Sequence, residues 1–145
     1  MATVTGLFTS PEKGSGRSTP QERVTAVAGH GLEGCAHAGR SKRQVLFVSR
    51  EHLDAVGVEP GVIRENVTVT GTDVQVWEIG RQVRVGEALF EITMVCDPCH
   101  KMDRLRPGLR AELEDRRGML AVVVEGGEIA VGDSVELVGA DAAAA

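Results

Sequence analysis

The chain of 145 residues contains no tyrosine, one tryptophan and three phenylalanines, so aromatic residues make up only 3% of it. Single-stranded nucleic acid is held largely by stacking bases on aromatic rings, and few such platforms exist here. The net charge of -5 also opposes a phosphate-backbone binder, which needs a basic face. Nucleic acid is therefore excluded as the expected partner, although a local basic patch would suffice for one small anion. Long apolar runs are missing too. The longest extends from Met119 to Val124, far short of the roughly 20 residues of a membrane-spanning helix, so no membrane association is expected. The opening Met1-Ala2-Thr3-Val4 has neither the basic nor the apolar region of a secretory signal. Cysteine is scarce and odd in number, at three. That usage fits a reducing cytoplasm, where such cysteines serve catalysis or metal binding more often than structure.

What remains is an ordinary globular composition, 42% hydrophobic and 26% charged. The length suits one domain over residues 1–139, able to bury a core without a metal or disulfide staple. The alanine-rich residues 140–145 read as a frayed tail.

Short β segments separated by Gly and Asp turns dominate the pattern. Thr3–Phe8 and Glu22–Ala28 read as early strands, with Ser10–Pro20 between them a loop by composition. Gln44–Val48 is an apolar, partly β-branched run suited to a buried strand. Arg50–Val56 reads as a short helix with Ser49 as its N-cap and Gly57 closing it. Asn66–Thr70 and Ala88–Val95 are further strands, and Met119–Val124, Glu128–Val131 and Ser134–Val138 complete the set. Val85-Gly86-Glu87-Ala88-Leu89-Phe90 is echoed by Val131-Gly132-Asp133-Ser134-Val135-Glu136, which suggests one hairpin device used twice. A second helix is expected over Pro107–Arg117, with Pro107 in its first turn. Strands outnumber helices and seldom alternate with them, which argues against a βαβ parallel sheet. The expected fold is mostly β, a closed or nearly closed β-barrel with one or two short helices.

Chemistry concentrates at Cys96-Asp97-Pro98-Cys99-His100, just after the strand Ala88–Val95. Three functional readings compete. A dithiol redox pair needs a helix beginning at the first cysteine to lower its pKa, and Pro107-Gly108 leaves room for no long one. A zinc site would combine Cys35-x-His37 with Cys96-x-x-Cys99 as four soft ligands. The third is a single reactive thiolate, Cys99, stabilised by His100, Lys101 and Arg104 and able to attack, carry sulfur or bind a soft metal. Against all three stands the plain alternative of buried, inert thiols.

Other segments bear on that choice. Gly31-x-x-Gly34-x-x-His37-Ala38-Gly39 followed by Arg43-Gln44-Val45-Leu46 resembles the first signature of the MOSC family, the domains similar to the C-terminal part of molybdenum-cofactor sulfurase. Pro60-Gly61-x-x-Arg64-Glu65-Asn66 is similar to the second, and Asp97-Pro98-Cys99-x-Lys101 to the third, which holds that family's functional cysteine. The Gly126-Gly127-Glu128-Ile129-x-x-Gly132-Asp133 ending is also typical of it. The resemblance runs in order from about residue 3 to 138.

This resemblance implies a β-rich barrel that binds the molybdenum cofactor or a related anionic pterin, or carries a persulfide sulfur, through Cys99. Some stand-alone members of the family reduce N-hydroxylated compounds with molybdenum held by that cysteine. Pyridoxal phosphate binding is a further association of the family. Implied partners are a separate reductase, or a cysteine desulfurase as sulfur donor, and a homodimer is expected because an open barrel edge invites cover. By position, Cys99 would be catalytic and the metal ligand, with His37 a proton donor near neutral pH. Arg43 and Arg64 would offer donor forks to a phosphate or pterin carbonyl, alongside Lys101. Gln44, Glu65 and Asn66 complete the expected cofactor-binding set, the two amides reading a heterocycle edge. Each has a plainer reading: Arg64 and Glu65 as an ion pair, Asn66 as a turn cap, His37 as a structural hydrogen-bonder. The arginines from Arg104 to Arg117 alternate with acids, so a solvated helix face is their default. One departure stands out: the family usually carries Asp where this chain has Cys35. A Cys35 disulfide with Cys96 or Cys99, gating the reactive thiol, is the expectation that follows.

Overall fold

The structure, a computed structural model, describes residues 2–11 and 18–139. The expected alanine-rich tail and residues 12–17 of the first loop lie outside them. At the centre is β5 (Val45–Ser49), every residue of which is buried. Side chains alternate across a strand, so Val45 and Phe47 enter one apolar cluster while Leu46 and Val48 enter another on the opposite face. The neighbouring β9 (Met119–Glu125) divides the same way, sending Met119, Ala121 and Val123 to the first cluster and Leu120 to the second. Two layers of core thus share one pair of strands. Phe47 anchors the larger cluster, edge-on to Phe90 and Trp77 at ring distances of 5.1 and 5.7 Å.

Beyond β9 the sheet continues through β8 (Ala88–Val95) and β7 (Gln82–Val85) to β11 (Val135–Val138). On the other side of β5 lie β6 (Val67–Thr70), β1 (Thr3–Thr9) and β2 (Thr19–Gln21). A smaller sheet sets β3 (Arg23–Val27) between β10 (Gly127–Ala130) and β4 (Gly31–Leu32). Three short helices, α1 (Arg50–Val56), α2 (His100–Leu105) and α3 (Leu109–Glu112), supply Leu53, Met102 and Leu109 to the second cluster.

Several expectations change at this point. The closed barrel does not form: the large sheet ends at β11 and β2. β1 meets the segment before β11 through the isolated bridge Thr3–Ser134 and two backbone hydrogen bonds, Val4 N to Asp133 O at 2.9 Å and Gly132 N to Val4 O at 2.8 Å. From Val135 onward the chain pairs with β7 instead, so the ladder does not run on around the molecule. A βαβ unit is present after all, because β5 and β6 are parallel with α1 between them. The sequence echo also divides. Gly86-Glu87 closes the β7–β8 hairpin, whereas Gly132-Asp133 passes the chain from the small sheet to the large one. Ser49 precedes α1 as expected but makes no side-chain cap; its buried hydroxyl donates to Thr72 O and accepts from Val74 N.

The helix expected over Pro107–Arg117 is only the four-residue α3, with turns behind it. Pro107 has no N–H to offer a helix interior, and Leu109 and Leu113 are the buried apolar residues of that stretch. The unexpected helix is α2, six residues long and directly behind Cys99. So short a helix is marginal alone; burial of Met102 against the second cluster holds it.

Candidate functional site

The helix-side face of β5 and β9 is where three loops converge. The first follows β8: Cys96 N donates to Gly118 O at 3.0 Å, and residues 96–99 then run without a turn or bend into α2. Cys96 is buried in the second cluster, whereas Cys99 is half-buried at the residue preceding the helix. The helix starts after the second cysteine rather than at the first, which departs from what a dithiol redox motif requires.

The second loop, residues 33–44, is pinned to the end of β1. Ala36 N donates to Ser10 O at 2.7 Å, and Ser10 N donates to Cys35 Sγ at 3.4 Å. Asn66 Nδ2 is a further donor to that sulfur at 3.4 Å. Burial pulls the Cys35 pKa up, but hydrogen bonds from His37 and Ser10 and the charge of His37 outweigh it, bringing the thiol down to about 7. The folded state thus favours the Cys35 thiolate more than the unfolded chain does. That contribution is fully present above the unfolded pKa and is lost as pH falls through about 7. Denaturant midpoints of wild type and Cys35→Ser are expected to separate progressively from pH 6 to pH 9; a constant gap would contradict this role for the thiolate.

The third loop, residues 57–66, presents Arg64 with a left-handed backbone, φ 66°, a conformation costly for a residue with a side chain. Glu65 holds the loop in that form. Wholly buried, its Oε2 accepts from Gly61 N at 2.8 Å and Thr68 Oγ1 at 3.1 Å. Burial raises the Glu65 pKa against the opposing hydrogen bonds and the charge of Arg117. The folded chain holds this proton more tightly, so the group favours folding at acid pH and loses that advantage as pH rises through the carboxylate range. Glu65→Gln keeps an acceptor without the charge. It is expected to flatten stability against pH from 4 to 8, while Glu65→Ala costs about 2–5 kcal/mol. Urea titrations across that range check both; parallel curves for wild type and Glu65→Gln would contradict the assignment.

Between these loops lies a cavity of about 450 Å³, within the usual range for a small-molecule site. Leu46 and Leu120 from β5 and β9 line it together with Met102, Cys96 and Cys99. Six cationic side chains face it, Arg40, Arg43, Arg64, Lys101, Arg104 and Arg117, with His37. Among the described residues no carboxylate lines it, in a chain whose net charge is -5.

The cavity brings together Cys99, His37, Arg43, Arg64 and Lys101 from the expected set. It does not include Gln44, Glu65 or Asn66. Gln44 is buried and spends its amide on Arg40 O and Val123 N, at 2.7 and 3.0 Å. Asn66 ties Leu46 N to Phe8 O, at 2.9 and 3.1 Å, joining β5 to the end of β1. These amides read the protein's own backbone. His100 is exposed and outside the lining set. The solvated helix face expected for Arg104 to Arg117 fails at Arg117, which is buried; Arg104 is exposed as expected, and both line the cavity. Cys35 lies in the first core cluster and Cys96 in the second, and all three thiols are free, so the expected disulfide is not formed. The four-ligand zinc site is not assembled either: among the described residues no three His, Cys, Asp or Glu side chains are grouped to hold a metal.

Fold and cavity define a class: a small β-rich domain that sets one half-buried thiol in a strongly cationic pocket. The MOSC domain model matches residues 35–136, and the chain belongs to that family. The YuaD protein from Bacillus subtilis has a similar crystal structure, with a TM-score of 0.79 at 21% identity over 94% of this chain and 96% of that one. YiiM from Geobacillus stearothermophilus gives 0.74 at 20% identity, covering 95% of this chain and 75% of the other. YiiM from Escherichia coli gives 0.70 at 19%, covering 94% and 69%. At these identities the likeness is one of fold. No curated protein matches the sequence. No helix among the described residues is long and apolar enough to cross a membrane.

Proposed function

We propose that the cavity binds the molybdenum cofactor or a closely related anionic pterin, with the Cys99 thiolate as soft metal ligand. The observation that carries this reading is the placing of Cys99 on the wall of a cavity that also has six cations. Membership of the MOSC family supports a molybdenum-cofactor-related role in general. The residues present fit such a group. Thiolate sulfur suits a soft transition metal, and guanidinium forks suit phosphate and carbonyl oxygens. Such a cofactor contributes two-electron redox chemistry when bound, the basis on which a reductase of N-hydroxylated compounds would work with a separate electron donor.

The chain's own residues have simpler tasks. Arg43 and Arg64 hold the anionic portion, Leu46 and Leu120 exclude water beneath it, and His37 stands at the wall as a proton donor. Lys101 on the same wall would serve a pyridoxal phosphate Schiff base, but only a soft metal makes use of the thiol as well, so the pterin is favoured. Persulfide carriage is the second reading, favoured by the same half-buried thiol. In it the Cys99 thiolate attacks the outer sulfur of a donor persulfide, such as that of a cysteine desulfurase, and the donor leaves as thiolate.

Protein purified from a cofactor-competent host distinguishes these readings. Molybdenum near one per chain supports the first, and cyanolysable sulfur without metal supports the second. Absence of both would overturn the proposal and leave a non-catalytic anion-binding module.

A further inference from the structure

Arg117 is the buried cation of the cavity, 8% exposed, while Arg40, Arg43, Lys101 and Arg104 are exposed and Arg64 is intermediate. Its Nε and Nη1 are buried and have no hydrogen-bond partner among the described residues. A guanidinium is always charged and carries five donors. Leaving two of its nitrogens dry and unpaired is costly unless another group meets them. Glu65 feels the charge of Arg117, but its Oε2 is committed to Gly61 and Thr68, and its Oε1 is itself without a partner. No hydrogen bond joins the two side chains. The backbone under Arg117 is fixed: Gly118 O accepts from Cys96 N, and Gly118 N donates to Gln75 Oε1, both at 3.0 Å. A rigid, desolvated guanidinium with two unsatisfied nitrogens therefore stands in the wall of the cavity, which Cys96 and Cys99 also line.

We propose that Arg117 is the anchor of an oxyanion subsite, binding a phosphate-type group through the free N–H donors of Nε and Nη1. This rests on reading the cavity as an anion site but not on the role of Cys99, so the two stand or fall separately. The exposed cations gather and orient an anion; Arg117 selects one small enough to reach the floor and shed its water. A phosphate group at this depth has two possible sources, a free inorganic ion or the ester end of a larger cofactor.

The test is a titration of the purified protein with inorganic phosphate and with phenyl phosphate, followed by calorimetry and by the side-chain Nε–H signals of arginine. In wild type both readouts saturate together, and the signal that is absent from Arg117→Lys is the one that moves. Arg117→Met is expected to weaken binding by about tenfold or more, as loss of a charge-assisted pair does. Arg110→Met, which removes one exposed charge on α3 outside the cavity, stays within about twofold, as expected for a screened surface charge. Tighter binding of the ester supports the anchor and assigns it to a cofactor's phosphate; tighter binding of inorganic phosphate supports it for a free ion. Should Arg117→Met fail to fold, the shift of the Nε–H signal in wild type still decides the matter. Saturable binding that leaves that signal unmoved, equal affinity in Arg117→Met, or no saturable binding at all would overturn the proposal.

Discussion

Replacing Cys99 by alanine is expected to abolish loading of molybdenum, or of labile sulfur, while leaving the fold standing. Loss of an outer-shell partner alone typically costs a metal site 10–100-fold, so loss of the ligand itself should exceed about a hundredfold. The fold survives because Cys99 is half-buried and makes no side-chain cap to α2; a change within about 1 kcal/mol is expected. Cys96→Ala should behave in the opposite way. Its thiol is packed into the second cluster with Met102 and Leu120, so truncation leaves a small cavity costing about 1–2 kcal/mol, with loading retained. Elemental analysis and thermal denaturation of the two variants side by side check this. Equal loss of load in both would contradict the assignment of the work to Cys99.

The largest stability effect is expected at a residue with no side chain. Gly118 has φ 106°, and a Cβ there would stand 2.2 Å from Phe47 O and 2.7 Å from Val48 Cγ2. The nearer atom is backbone of the central strand, which cannot swing aside. Gly118→Ala combines left-handed strain with overpacking, and a loss of about 4 kcal/mol or more is expected. The same turn carries the hydrogen bond from Cys96 N, so the cavity should fail along with the strand contact. Gly34→Ala is the matched control, because Gly34 also has positive φ, 81°, but nothing stands within 4 Å of its added carbon. It should lose about 1–2 kcal/mol, the conformational cost alone. Denaturant unfolding of both separates the contributions; similar midpoints would show that the clash at Phe47 relaxes.

Where the sequence was informative, the signal was local. Ala88–Val95 is β8 to the residue, and Arg50–Val56 is α1, because apolar spacing and a closing glycine are written in consecutive positions. The thiol with its following lysine was legible as a unit for the same reason. Arg117 was not, since its neighbours in sequence are charged and only the docking of Gly118 against Phe47 takes it inside. Gln44 and Asn66 show the converse. An amide that reads a heterocycle and one that bridges two strands carry the same two donors and acceptors, and topology alone tells them apart. Barrel closure was overextended from the echo around Gly132-Asp133, where pairing with β7 depends on a strand some fifty positions earlier.

Alkylation of Cys99 in the loaded protein tests the central claim most directly. Iodoacetamide labelling read by mass spectrometry should find Cys99 protected while cofactor or sulfur is bound and labelled once the load is removed. Cys35 and Cys96, both buried, should stay unlabelled in the folded protein in either state. Labelling of Cys99 at the same rate with the load in place would contradict the account.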